Sequence, residues 1–242
     1  MSLPQVSIVI PVYNEEAIIH AAILDLIDRL QGVPWTYEIV IVENGSKDAT
    51  FEIAEKLMQR FPQLKVLRFG EPNYGGALKY GILASRGTFV ICDEIDLCDV
   101  GFHRKAIEIL EAGEADFVVG SKAMEGAIDE RPLLRRVGTK VFNRLLRLTL
   151  GFRGTDTHGL KAFRREKVVP IVARCVVDKD LFASELVIRA EREGVRIREI
   201  PVRVLEKRVP SIHLLKRVPN VLFNVARLAI VIRRDEMRRG NN

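Results

Sequence analysis

Three carboxylates crowd the end of one short apolar run. Residues 90–96 read VICDEID: the run arrives from Arg86-Gly87-Thr88 and stops at Asp93, Glu94 and Asp96. A brief apolar run with this entry has the pattern of a buried β-strand. Carboxylates gathered at its mouth repel one another and cost stability unless a cation offsets them. Hard divalent cations, Mg²⁺ or Mn²⁺, take oxygen ligands and often sit between one or two carboxylates and substrate phosphates. These residues therefore suit metal-assisted handling of a phosphorylated substrate. The plain alternative is a solvated acidic loop.

The elements that must position this cluster follow from periodicity. Val6–Val12 is a short β-rich run. Ile19, Ile23, Leu26, Ile27 and Leu30 share one face at helical spacing, and Gly32 and Pro34 end that helix. Tyr37–Val42 is a second strand. Gly45–Asp48 is a turn, with Asp48 or Thr50 placed to cap a helix whose face carries Ile53, Ala54, Leu57, Met58 and Phe61. Leu64–Phe69, Tyr74–Ala84, Val90–Cys92, Phe102–Ala112 and Asp116–Gly120 continue the strand–helix alternation. Gly126–Pro132 reads as a loop, Val137–Leu150 as a basic helix, Gly151–Gly159 as a turn-rich loop, Leu181–Glu193 as a helix and Val195–Val204 as a strand. The expected fold is α/β, a mostly parallel central sheet covered by helices on both faces. Such sheets bind ligands at the carboxyl ends of their strands. Tyr13-Asn14-Glu15, Glu43-Asn44-Gly45-Ser46 and Asp93–Asp96 each follow a strand, so three strand ends offer polar loops to one site.

Composition narrows the class. The chain has 242 residues, 48% hydrophobic and 29% charged, with a formal net charge of +6. That balance is globular, and the positive excess suits an anionic partner such as a phosphate, a nucleotide or an anionic lipid. The basic residues lack interleaved aromatics or a recognisable module, so no nucleic-acid partner is expected. Cys92, Cys98 and Cys175 form no CxxC pair, which fits a reducing, cytoplasmic setting, peripheral on the inner membrane face if membrane-bound. The N-terminus lacks a basic segment of the signal-peptide type. No apolar run reaches the ~18–20 residues of a bilayer span; residues 214–232 come nearest but are broken by Lys216, Arg217, Asn220, Asn224 and Arg227.

The segments IVIPVYNEE, IVENGSKDAT, NYGGALKYGILASRGTFVICDEID and FVVGSK, in this order, resemble the family-2 glycosyltransferases with the GT-A fold. GTDTHGLKAFRRE and FASELVIRAEREGVRIREIPV resemble the polyprenyl-phosphate sugar synthases within that family, of the dolichol-phosphate mannose synthase type. The resemblance implies that Pro11, Tyr13 and Glu15 hold base and ribose, that Glu43 and Asn44 meet the base with Asp48 in the same loop, and that the loop around Gly75 runs under the nucleotide. Asn44-Gly45 is open to a second reading as a plain tight turn. The family's DxD motif falls on Glu94-Ile95-Asp96; either Glu94 replaces its first Asp, or a one-residue shift makes Asp93 the ligand. Asp96 is the expected principal metal ligand, with Asp99 or water completing the shell where Cys98 cannot. Ser121 and Lys122 match the family's GSR. Arg131 and Arg136 match positions that hold an acceptor phosphate, a task suited to guanidinium groups. Asp156, Thr157, His158 and Arg164 match a loop closing over donor and acceptor, and Arg208 a later basic loop. Glu185 falls on a helix that faces the site.

The implied reaction is transfer of a sugar, with inversion, from GDP-mannose or UDP-glucose to a polyprenyl-phosphate-type acceptor, aided by Mg²⁺ or Mn²⁺. A phosphate acceptor is already an anion near neutral pH, so no general base is needed. Rival readings are a same-fold transferase with a soluble hydroxyl acceptor, a nucleotidyltransferase, and a non-catalytic nucleotide-sugar or phospholipid binding module. Tyr13-Asn14-Glu15-Glu16 is the wrong chemistry for the second. Residues 1–210 are expected to form one domain. Residues 211–242 are expected to add an amphipathic basic helix, without a membrane span. Its apolar face (Leu214, Leu215, Val218, Val221, Leu222, Val225, Leu228, Ala229, Ile232) suits a membrane interface, its own domain, or a second subunit in a homodimer.

Overall fold

The computed structural model of the chain describes residues 3–177, 181–204 and 222–234. Seven strands form the main sheet, in the order β3-β2-β1-β4-β7-β5-β8. These are β1 (Val6–Val12), β2 (Tyr37–Glu43), β3 (Leu64–Arg68), β4 (Phe89–Cys92), β5 (Phe117–Ser121), β7 (Lys161–Arg164) and β8 (Ile197–Pro201). A two-stranded sheet pairs β6 (Ile128–Asp129) with β9 (Arg203–Val204). The β3-β2-β1-β4 half is parallel throughout. The chain leaves β1 for β2 on one side and later adds β4 on the other. The crevice between the carboxyl ends of β1 and β4 is thus the switch point at which such sheets take ligands.

Helices α1 (Ile19–Arg29), α2 (Thr50–Arg60) and α4 (Val100–Glu111) lie on one face, and α3 (Tyr74–Ala84), α6 (Arg165–Arg174) and α7 (Phe182–Arg192) on the other. Strand alternation divides the core accordingly. Ile8, Ile10, Ile39 and Ile41 pack with Ile19, Ile23 and Leu26, whereas Val9, Val40 and Val42 pack with Leu78, Ile82 and Ile171. Because both faces are covered, β1 is buried at all seven of its residues. Helix α5 (Leu133–Leu150) and the helix over residues 222–234 add Leu146, Leu150, Val225, Leu228 and Ile232 to the second layer. Three apolar residues of the C-terminal helix thus lie in the protein's own core. Arg208, and the apolar positions among residues 211–221, fall outside the described residues.

The structure corrects several sequence expectations. β7, which the sequence reading leaves unassigned, is the antiparallel member of the mostly parallel sheet, between β4 and β5; its four residues are too few to carry a period. α6 was unassigned because Pro170 interrupts the helical pattern. The loop at 126–132 contains β6, α5 begins four residues earlier than Val137, and Val195–Val204 divides into β8 and β9. Met58 is exposed rather than part of the α2 core face. The cap position of α2 is Ala49, whose side chain has no polar atom to offer, and Asp48 Oδ1 just before it accepts from the helix's first amide, Thr50 N (3.1 Å).

Candidate active site

The loops after β1 and β2 are stitched together through side chains. Asn14, at φ 54°, takes the left-handed conformation that Asn tolerates better than most residues. Its amide donates to Ser46 Oγ (3.0 Å), and its Oδ1 accepts from the Lys47 amide (2.9 Å). The Glu15 amide donates to Thr50 Oγ1 (2.7 Å), and the Glu16 amide to Asp48 (3.2 Å). Burial works against the charge of Asp48, but hydrogen bonds from Thr50 and the Glu16 amide outweigh it and hold its carboxyl below the usual carboxylate range. Asp48 therefore holds the loop together. Pro11 lies buried within β1, and Tyr13 projects at the rim, 37% exposed.

At the end of β2, Glu43 is buried. One carboxylate oxygen accepts from the Ser46 amide. The other makes no hydrogen bond among the described residues and has the exposed Arg68 guanidinium at 3.6 Å. A buried acceptor without a donor costs free energy, and the N–H of a nucleobase would supply that donor. Asn44 is used differently: its Oδ1 accepts from the Asn73 amide (2.7 Å), and Asn73 Oδ1 in turn accepts from Gly76 at the start of α3. This chain of bonds fixes the Gly75-Gly76 turn beside the end of β2. Gly45 has φ +74°, and a Cβ there would lie 2.9 Å from the Glu71 backbone, so the tight-turn reading of Asn44-Gly45 is satisfied.

The acidic cluster separates into inner and outer members. Asp93 turns inward: Oδ1 accepts from the Glu94 amide (2.7 Å), and Oδ2 meets His103 Nε2 on α4 at 2.5 Å, both side chains fully buried. Asp99 is the N-cap of α4, accepting from the Phe102 amide (3.0 Å), and is thereby engaged away from any metal shell. Cys98 is buried with its thiol against the carbonyls of Glu94 and Ile95. Glu94 and Asp96 remain at the mouth. Burial, then the charge of Asp96, push the Glu94 carboxyl up to about 7. The Tyr74 hydroxyl is tied to the same cluster: although the residue is 41% exposed overall, burial of the hydroxyl and then the charge of Glu94 push it well above its usual range. Two oxygen-donor side chains that repel each other across a polar mouth suit a hard divalent cation completed by phosphate oxygens and water. Among the described residues, no three His, Cys, Asp or Glu side chains form a closed metal cage.

Across the mouth stand two lysines. The antiparallel register pairs Lys161 of β7 with Cys92 of β4 and with Val119 of β5. This sets a buried ammonium one residue from Asp93. Its Nζ donates to Gly159 O (2.7 Å), and burial pulls it below the usual lysine range. Lys122, at the end of β5, donates to Asp156 Oδ2 (2.8 Å). Burial opposes the Asp156 charge, but Lys122 outweighs it and lowers the carboxyl below the usual range. Asp156 Oδ1 also accepts from the His158 amide, so this carboxylate organises the 155–159 loop. Glu199 of β8 assists, accepting from Thr155 N, Thr155 Oγ1 and Asp156 N. Ser121 Oγ meets Thr155 Oγ1 at 2.6 Å. Gly159 packs so closely that a Cβ would fall 1.7 Å from the Gly120 carbonyl oxygen.

Beyond Lys122 a small cavity is lined by Lys122, Asp129, Arg136, Thr139 and Lys140. Of the two arginines expected there, only Arg136 lines it. Arg131 forks onto Asp129 at 2.8 Å through both Nε and Nη2, so its charge is already matched. His158 is exposed, its ring edge-on to Phe142 at 5.2 Å and its Nδ1 beside Thr157 Oγ1. Glu185 lies inside: it accepts from the amides of Val176 and Val177 and from Arg189 Nε, anchoring the segment before α7. Sequence reasoning missed Lys161 and His103. Lys161 stands alone between Leu160 and Ala162-Phe163, and that interruption is the available signal; His103 is followed by Arg104 and Lys105 and carries no such signal.

A model of glycosyl transferase family 2 matches residues 7–170. Glycosyltransferase AglD of Haloferax volcanii is 30% identical over 203 residues, 82% of this chain and 32% of AglD. The dolichyl-phosphate beta-glucosyltransferase of Dictyostelium discoideum is 26% identical over 83% of this chain and 66% of its own length. The chain thus spans a third of AglD and just under two-thirds of the Dictyostelium protein. Among solved structures, glucosyl-3-phosphoglycerate synthase from Mycobacterium tuberculosis, in complex with Mn²⁺, UDP-glucose and phosphoglyceric acid, superposes with a TM-score of 0.66 at 20% identity. That alignment covers 93% of this chain and 80% of the synthase. The mostly parallel seven-stranded sheet is therefore that of a GT-A glycosyltransferase, and the chain belongs to glycosyl transferase family 2.

Proposed function

We propose that this glycosyltransferase moves glucose, with inversion, from UDP-glucose to a polyprenyl-phosphate-type acceptor. One observation carries the reading: Glu94 and Asp96 stand at the end of β4 with Lys161 of β7 and Lys122 after β5 near them, and Lys122 also lines a cavity with Arg136, Lys140 and Asp129. Negative charge on one wall and positive charge on the other suit a donor diphosphate bridged by metal and an acceptor phosphate held by ammonium and guanidinium groups. Of the two donors the sequence leaves open, UDP-glucose is favoured by the names of the relatives and by the ligands of the structural neighbours.

Glu94 and Asp96 would hold Mg²⁺ or Mn²⁺, which when bound neutralises charge developing on the departing diphosphate. The unsatisfied oxygen of Glu43 accepts from the base. Tyr13 and the Gly75 turn border the nucleotide. Lys161 and Lys122 add fixed positive charge beside the reacting phosphates, in a buried setting where charge acts more strongly than in water. Arg136 and Lys140 position the acceptor anion, converting its attack into an intramolecular event.

The test is transfer of label from UDP-[¹⁴C]glucose and GDP-[¹⁴C]mannose in the presence of Mn²⁺ and polyprenyl phosphate. The expected result is organic-extractable label from UDP-glucose. Label appearing only in water-soluble product would replace the lipid acceptor with a soluble one, and extraction of label from GDP-mannose alone would reverse the donor assignment.

A further inference from the structure

Helix α5 is apolar on two opposite sides. Its inward side puts Asn143, Leu146 and Leu150 against the core. Its outward side carries Leu133, Val137, Val141 and Leu148, on one face at spacings of four, four and seven residues, with Leu134 beside them. Their exposures are 70, 47, 63, 79 and 61% respectively. An apolar row of this length, about 22 Å at 1.5 Å per residue, is unusual on a surface that faces only water. A second row, Arg136, Lys140, Arg144 and Arg147, runs along its flank, and every member is exposed. The helix contains no acidic residue. The acids just before it are engaged: Asp129 by Arg131, and Glu130 by Arg203.

We infer that this outward face of α5 docks on an anionic lipid bilayer, the apolar row entering the acyl boundary and the basic row meeting the headgroups. Parallel rows of leucine or valine and of cations are what an interfacial helix needs. A second copy of the chain is a poorer occupant, because an antiparallel twofold pairing of this face sets the two basic rows against each other. In the described part of the C-terminal helix Val225, Leu228 and Ile232 are buried, while Leu222, Phe223 and Ile230 are exposed. Lys122, Arg136 and Lys140 open their cavity along the basic row, so docking would bring that cavity to the headgroup layer. The surface goes beyond the proposed reaction and is independent of which acceptor the site takes.

Sedimentation of the full chain with vesicles tests this without any sugar transfer. The chain should sediment with phosphatidylcholine–phosphatidylglycerol vesicles, less so with phosphatidylcholine alone, and release as salt rises. The double variant Val141→Gln/Leu148→Gln, at two of the exposed positions, should bind roughly tenfold more weakly or worse. Arg144→Gln should bind about fivefold more weakly. All variants should keep the wild-type melting temperature and UDP affinity. Wild-type chain left in the supernatant with anionic vesicles would overturn the inference. So would undiminished sedimentation of the double variant, or a dimer that the double variant dissolves in the absence of vesicles.

Discussion

Asp93 points away from the mouth that its neighbours Glu94 and Asp96 line, and is held there by His103 at 2.5 Å. The pair is inaccessible to water, and His103 Nδ1 has no partner among the described residues. Removing one member strands the other in the core. His103→Ala and Asp93→Ala should each cost about 3–5 kcal/mol, and the double variant less than their sum. Denaturant midpoints measure this. If Asp93 serves the fold rather than the donor, Asp93→Asn that remains folded keeps a near-normal KM for UDP-glucose.

Glu94 gives a pH prediction of opposite sign to that of an ordinary paired carboxylate. Its folded carboxyl sits at about 7 against an ordinary value of 4.5. The folded protein therefore binds more protons between those values, and stability contributed by the neutral form is lost as pH rises through 7. In metal-free protein, Glu94→Gln should be neutral near pH 4 and stabilising above pH 7, on the order of 2 kcal/mol. Thermal melts across that range, in chelator, read it directly. The same variant should lose metal-dependent transfer.

Asp156 behaves in the usual direction. Lys122 holds its carboxyl below the ordinary value of 3.8. Its contribution is thus present above that value and fades as pH falls below it. Asp156→Asn should cost about 3 kcal/mol at pH 7, a penalty that shrinks toward zero on acidification below about pH 4. Urea titrations at a series of pH values check it.

Gly159 tests the fit of the 155–159 loop against β5. A methyl group there would overlap the Gly120 carbonyl. Gly159→Ala should destabilise the chain by at least about 1–3 kcal/mol and should reduce kcat more than UDP affinity. Calorimetric UDP binding and steady-state rates separate the two.

The half of the fold nearest the N-terminus was legible, because its strands are short apolar runs punctuated by turn residues and its helices show a single apolar face. Tyr74–Ala84 matched residue for residue. β7 and α6 were not: four residues carry no period, and Pro170 masks the helix. Within the site, motif order placed Glu94, Asp96 and Lys122, and the structure brings them together. Lys161 was hidden because its position depends on strand pairing across a long stretch of chain, and His103 because it stands beside Arg104 and Lys105, where nothing in the sequence marks it as buried. Only the antiparallel register of β7 on β4 carries residue 161 next to residue 92. Conversely, Arg131 and Asp48 carry the right chemistry for ligands, but Asp129 and Thr50 already occupy them.

The central claim is that Glu94 and Asp96 bind the donor diphosphate through a divalent cation. Isothermal calorimetry of UDP against wild-type protein and Asp96→Asn, each with Mn²⁺ and with chelator, measures it most directly. Wild-type affinity should rise at least about tenfold with Mn²⁺, a coupling near 1.4 kcal/mol, while Asp96→Asn shows no such gain. Equal UDP affinity with and without metal in the wild-type protein, or an undiminished metal effect in Asp96→Asn, would contradict the account.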